Sequence, residues 1–297
     1  MVNNKQGVMN IARINARVIK PPSCSLSIKF LKDLYHIANE IVKQAAEKAS
    51  KELRILPNQS EKEFADQKKL IEESYKLEAI IFSFKGTLML SQDDSIFDEK
   101  DMPSPISKII FSNVEYYRRN IGLDPSYIIK IEFDFGKLRI FDLLTSPSRA
   151  SYNSSTIEVK GEDEVWVVGA TDKIRSKIKE AKNKYSIVHK ESIYDVLIWL
   201  LVIPLAITNM HILERHLYKL LDNFTEPLKI LIYFFVLLSI LVLFRIFFNY
   251  TRWLFPYCEL KLEEKKGPSF HRYIYGALCL GILVDVIVVV LLKFAGI

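Results

Sequence analysis

Two apolar runs in the last third of the chain, Ile230 to Phe248 and Ile274 to Leu292, limit what it can fold into more than any other feature. Each is close to the ~20 residues needed to cross a bilayer as a helix. The second run carries a single acid, Asp285, near its midpoint. A carboxylate at that depth is costly and calls for a partner or a function.

The chain's 297 residues are enough for one soluble domain and a small membrane unit. Charged side chains crowd the region before Ser192, whereas Leu, Ile, Val and Phe dominate the region after it. The formal net charge of +6 would in a soluble protein point to nucleic acid or an anionic surface. Beside membrane segments it reads more simply as loops rich in Lys and Arg on the cytoplasmic side. The three cysteines, Cys24, Cys258 and Cys279, are far apart, and one lies in an apolar run. They point to neither a disulfide framework nor a zinc site. The N-terminus has no continuous apolar core of signal-peptide length, so the soluble part is expected in the cytoplasm.

Three regions are expected: an N-terminal arm and helical region at 1–76, an α+β cytoplasmic domain at 77–191, and a transmembrane domain at 192–297. Residues 1–24 end in Pro21-Pro22 and read as an arm or a single strand. From Ser25 apolar residues recur every three or four positions, and the stripe ends near Leu53, which predicts a helix. A second helix is predicted from Ser60 to about Tyr75, where Ser60 and Glu63 have capping-box spacing. Beyond it the pattern turns to strands at Leu77–Phe84, Lys108–Tyr117, Tyr127–Phe135 and Lys137–Leu144, with Phe135-Gly136-Lys137 as a tight turn. Thr156–Val159 and Val165–Val168 read as further strands before a basic helix from about Thr171 to Lys184. The expected fold is therefore α+β, with helices on one side of a mostly antiparallel sheet, followed by an all-α membrane bundle.

In the basic helix, Lys173, Arg175, Lys177, Lys179 and Lys182 alternate with Ile174 and Ile178. A cationic stretch just before a membrane segment attracts anionic headgroups at about 1 kcal/mol per residue. It would equally serve a nucleotide or oligonucleotide phosphate. These five are the candidate ligand or headgroup residues.

A third candidate span, Ile193 to about Leu213, is interrupted by Pro204. The choice is thus between three transmembrane helices and two plus an interfacial helix. The loop after Phe248 carries Arg252, Lys261, Lys265, Lys266 and Arg272, and three crossings put it on the same side as the soluble domain. Inside the apolar region, Ala277, Gly281 and Asp285 fall at i, i+4 and i+8, a stripe of small residues that lets helices approach closely. Asp285 has three candidate roles: partner of Arg245, protonated hydrogen-bond donor between helices, or pore-lining carboxylate. Arg245 alternatively snorkels to the headgroups.

No phosphate-binding glycine loop, metal-spaced histidine pair or nucleophile elbow is present. The expectation is a protein that is not an enzyme and holds neither cofactor nor metal. A cytoplasmic α+β domain joined directly to a short C-terminal bundle, with the basic 252–272 loop and Asp285, resembles the membrane effectors of bacterial anti-phage systems. The effector of the Hailong system, paired with a nucleotidyltransferase, is similar in size and layout. That resemblance implies an inner-membrane homo-oligomeric ion channel, controlled through its soluble domain by a nucleotide-derived ligand that a partner enzyme makes. The alternative is a membrane-anchored scaffold or sensor whose helices only tether the soluble domain.

Overall fold

The computed structural model describes residues 14–55, 57–98, 102–142, 144–221, 224–261, 270–278, 280, 281 and 284. Asp285 and the run beyond it lie outside the described residues. The chain divides into two compact units: 1–136 with 152–184, and 137–151 with 185–297.

The first unit is α+β. Its strands are β1 (Asn15–Ile19), β2 (Cys24–Ser27), β3 (Glu78–Ser83), β4 (Leu88–Ser91), β5 (Ile106–Ser112), β6 (Ile128–Asp134) and β7 (Thr156–Gly161). Six of them form one sheet in the order β1-β7-β6-β5-β3-β4, with every neighbouring pair antiparallel. Alternation along the strands sends Ala79, Ile81, Ile109, Phe111, Ile129, Ile131, Phe133, Ile157 and Val159 to one buried face. Helices α1 (Ile28–Glu52) and α4 (Glu164–Glu180) pack there. Tyr35 of α1 meets Phe111 edge-on at 5.6 Å, and its hydroxyl donates to the carbonyls of Leu77 and Gln92. A buried phenol is tolerable only with such partners.

Local chemistry fixes the helix ends. Ser27, rather than Ser25, caps α1 by accepting from Phe30 N. Ser60 and Glu63 form the expected capping box of α2 (Glu61–Ser74). The Val165–Val168 run is helical, because Asp163 caps it by accepting from Val165 N and Trp166 N. Trp166, Val167, Ala170, Ile174 and Ile178 then form a buried 3.6-period stripe. Tyr116 and Tyr117, read as strand, belong to helix α3 (Val114–Ile121), which ends at Gly122 in the left-handed region, φ 80°.

The second unit contains the membrane candidates. Ile193–Leu197 (α5) runs through a π-helical stretch at Ile198–Val202 into α6 (Ile203–Leu221). The π turn precedes Pro204, which lacks an N–H and whose ring would strike the carbonyl four residues back. The wider turn, with Ile203 N donating to Ile198 O, makes room for it. Helix α7 (Glu226–Leu254) is the described helix long and apolar enough to cross a membrane, with a mean hydropathy of 2.8 over its best window and none of that window buried in the protein. Tyr194 of α5 stacks on Phe244 of α7 at 5.5 Å. Strand β8 (Cys258–Lys261) comes next, and residues 270–278, 280, 281 and 284 are helical.

Residues 137–144 are not the expected strand. The described part, residues 137–142 and 144, runs as irregular backbone, and β6 pairs directly with β7. The 137–151 segment is therefore a long insertion between two adjacent central strands, and it belongs to the second unit.

Candidate functional site

The insertion is held by a polar ladder on α7. Arg245, Asn249 and Arg252 lie at i, i+4 and i+7 and so share one face of the helix. The Arg245 guanidinium donates to the carbonyls of Asp142 at 3.2 Å and Thr145 at 2.8 Å. Asn249 Nδ2 donates to those of Ile140 and Asp142 at 3.2 and 3.3 Å. Arg252, 4 % exposed, donates from Nε to Val188 O at 2.9 Å and from Nη2 to Arg149 O at 3.1 Å, and its guanidinium lies 4.6 Å from the Phe248 ring centroid. Irregular backbone leaves carbonyls without partners, and these three side chains satisfy them.

The insertion also braces itself. The Asp142 carboxylate accepts from Leu144 N, Thr145 N and the Thr145 hydroxyl, and with Arg245 close by these bonds hold it down at about 2. At the far end, Ser148 Oγ donates to Asp195 Oδ1 at 2.6 Å and Ser192 N to Ser148 O at 2.7 Å.

His189 completes the seat. Its Nε2 lies 2.7 Å from Phe255 O and its Nδ1 2.8 Å from Ser151 Oγ. A carbonyl only accepts, so Nε2 carries the proton and Nδ1 accepts from the serine. Burial, with Arg252 adding to it, pushes the imidazole down from 6.5 to about 4. The unfolded chain therefore binds more protons than the folded chain between those values, and stability falls as pH drops through that window. The loss expected by pH 4 is about 3 kcal/mol, from roughly 1.4 kcal/mol per unit. Thermal unfolding in detergent at pH 7 and pH 4.5 measures it, and His189→Gln is expected to flatten the dependence. Asp142, whose contribution is lost only as pH falls from 3.8 toward about 2, does not obscure that window.

The residues singled out from sequence separate. Arg245 is in the ladder. Ala277 and Gly281 are exposed, and a Cβ on Gly281 would meet nothing within 4 Å. Asp285, expected beside them, lies outside the described residues. On α4 and just beyond it, Lys173, Arg175, Lys179 and Lys182 are exposed and have no ion pair among the described residues. Lys177 is committed instead to Asp33 and Glu180 and lies over the Phe30 ring. Asn249, Arg252 and His189 were not expected. The i, i+4, i+7 polar spacing on an otherwise apolar helix was the readable signal for the first two.

A separate groove of about 420 Å³ opens on the sheet face opposite α1 and α4. Its floor is Ile80, Phe82, Ile110 and Ile128, and its rim carries Lys130, Lys160 and Arg118. Arg118 is engaged by Glu115 and Asp124, and Lys160 by Glu158. Among the described residues no cluster of His, Cys, Asp or Glu could hold a metal.

Comparison with protein-family models, with curated proteins and with solved structures gave no match.

Proposed function

We propose that this chain is a multi-pass protein of the bacterial inner membrane. Its cytoplasmic sheet unit acts on the membrane helices through the 137–151 insertion, and the triggered oligomer permeabilises or depolarises the membrane. The observation that carries this reading is the ladder. An anchor needs only an apolar helix, whereas α7 spends Arg245, Asn249 and Arg252 on a segment spliced between two central strands of the sheet. A shift of β6 against β7 pulls on that segment at both ends.

Ile230 to Phe248 covers about 28 Å of helix, close to the hydrocarbon thickness of roughly 30 Å. Arg245 then sits just inside the cytoplasmic boundary, where an arginine needs acceptors, and the carbonyls of Asp142 and Thr145 provide them. Three crossings return the basic stretch from Arg252, at the end of α7, to Arg272 to the cytoplasm. Subunits meet through the open Ala277–Gly281 face, with Asp285 as the polar element of the pore. The trigger is a nucleotide-derived ligand from a partner enzyme, attracted by Lys173, Arg175, Lys179 and Lys182.

The second reading is a tether whose helices hold the sheet unit at the membrane and do nothing else. The exposed apolar surface of α7 suits it equally well. Replacing the helices by an unrelated anchor separates the two, because a tether keeps its activity and a permeabilising effector loses it.

A further inference from the structure

We propose that residues 137–142 and 144 form an interfacial seat for anionic phospholipid, with Lys137 and Arg139 at the headgroup phosphate and Phe141 and Leu144 in the acyl boundary. The proposal rests on α7 spanning the bilayer, and it adds a lipid partner to the coupling segment.

The ladder fixes how the segment runs. The carbonyls of Asp142 and Thr145 are level with Arg245, and those of Ile140 and Asp142 with Asn249. Lys137 Nζ lies 4.6 Å from the Trp253 ring centroid. The segment is therefore antiparallel to α7 over the nine residues from Arg245 to Trp253, about 12 Å of helix from first to last. Its chemistry is graded along that length as a bilayer boundary is. The basic end is level with Trp253, a residue type favoured at headgroup depth. At the apolar end Phe141 is 77 % exposed and Leu144 99 % exposed, and the Asp142 carboxylate between them is taken up by Leu144 N, Thr145 N and the Thr145 hydroxyl beside Arg245.

Leaving two large apolar side chains in water on a backbone already fixed by α7 is unfavourable. Acyl chains remove that cost, and the exposed apolar surface of α7 beside them, Leu243 among it, needs the same solvent. At the basic end a shallow, open depression of about 480 Å³ is lined by Lys137, Leu138, Arg139, Ile140, Phe141 and Trp253. The lining has two cations and no acid, so it suits a phosphodiester with apolar chains attached. A free nucleotide would leave the apolar half uncovered.

The test uses the full chain in nanodiscs, with quenching by brominated phosphatidylglycerol or brominated phosphatidylcholine. The Trp253 signal is the difference between the native chain and Trp253→Phe. The anionic lipid is expected to compete for the site with a preference that falls about fivefold for each of Lys137→Gln and Arg139→Gln, the equivalent of one basic contact at a membrane surface. Equal quenching of Trp253 by the two lipids overturns the seat. Phe235→Trp, placed near the middle of α7 in the Trp253→Phe chain, reports separately on the spanning reading. If that residue is not quenched by either lipid, the spanning reading falls and the seat falls with it. If it is quenched while Trp253 shows no anionic preference, only the seat is lost.

Discussion

Arg252→Ala is expected to lower the stability of the second unit by about 2–3 kcal/mol, the cost of leaving two carbonyls without their charged donor. The side chain bridges two segments far apart in sequence, donating to Val188 O and Arg149 O. Alanine leaves both carbonyls without that donor and removes the cation from the Phe248 ring. Lysine is not a substitute, because one ammonium cannot reproduce two divergent N–H groups on a planar fork. Thermal unfolding in detergent gives the stability change, and limited proteolysis locates it. Cleavage is expected within 137–151, with fragments of the sheet unit intact. Wild-type resistance in Arg252→Ala would mean that the insertion is held by something other than the ladder.

Tyr127→Ala is expected to destabilise the sheet unit by about 3–5 kcal/mol, the range for emptying a buried aromatic site. Tyr127, just ahead of β6, is completely buried. Its ring meets Trp166 of α4 at 4.9 Å, and its hydroxyl donates to Glu52 at the end of α1 at 2.5 Å. Its backbone carbonyl accepts from Asn113 Nδ2 at 2.8 Å. One residue thus ties both covering helices to the sheet. Gly161 at the end of β7 is glycine because a Cβ there would come within 2.5 Å of the Tyr127 ring. Gly161→Ala is therefore expected to cost about 1–3 kcal/mol by overpacking. The pair must be less than additive: once Tyr127 is alanine, the added methyl meets no ring. Denaturant unfolding of the two single variants and the double variant checks this. Strict additivity would break the link between the two positions.

Much of the first unit was legible because its signals are local. Alternating Ile and Phe marked β3, β6 and most of β5, and Ser60 with Glu63 marked the start of α2. Misreadings arose where a local pattern fitted two structures. Val165–Val168 is β-branched enough for a strand, yet Asp163 ahead of it is a helix cap, and the apolar spacing through Ile178 is helical. The short β4 on the sheet edge, Leu88–Ser91, carried too few residues to register.

Residues 137–144 show a different limit. Their Ile, Leu and Phe suit a strand, but the carbonyls of Ile140 and Asp142 are satisfied by side chains about a hundred residues later in the chain, at Arg245 and Asn249. No window of sequence contains that pairing. Arg245 reads from sequence as snorkelling to the headgroups or pairing with Asp285, and its carbonyl partners are not visible there. Which acceptors it takes depends on the return of α7 to the insertion, a property of the fold. Ala277, Gly281, Lys173, Arg175 and Lys179 lie at the surface, and a surface position alone does not name what meets it.

The central claim is that the membrane helices act and do not merely anchor. Membrane potential is the most direct readout, followed with a voltage-sensitive dye after induction of three chains: the native one, Asp285→Ala, and one in which residues 192–297 are replaced by an unrelated membrane anchor. Depolarisation is predicted for the native chain, with the response lost in the anchored chimera and weakened in Asp285→Ala. An unchanged potential in cells carrying the native chain and its trigger, or a chimera that depolarises as the native chain does, would contradict it.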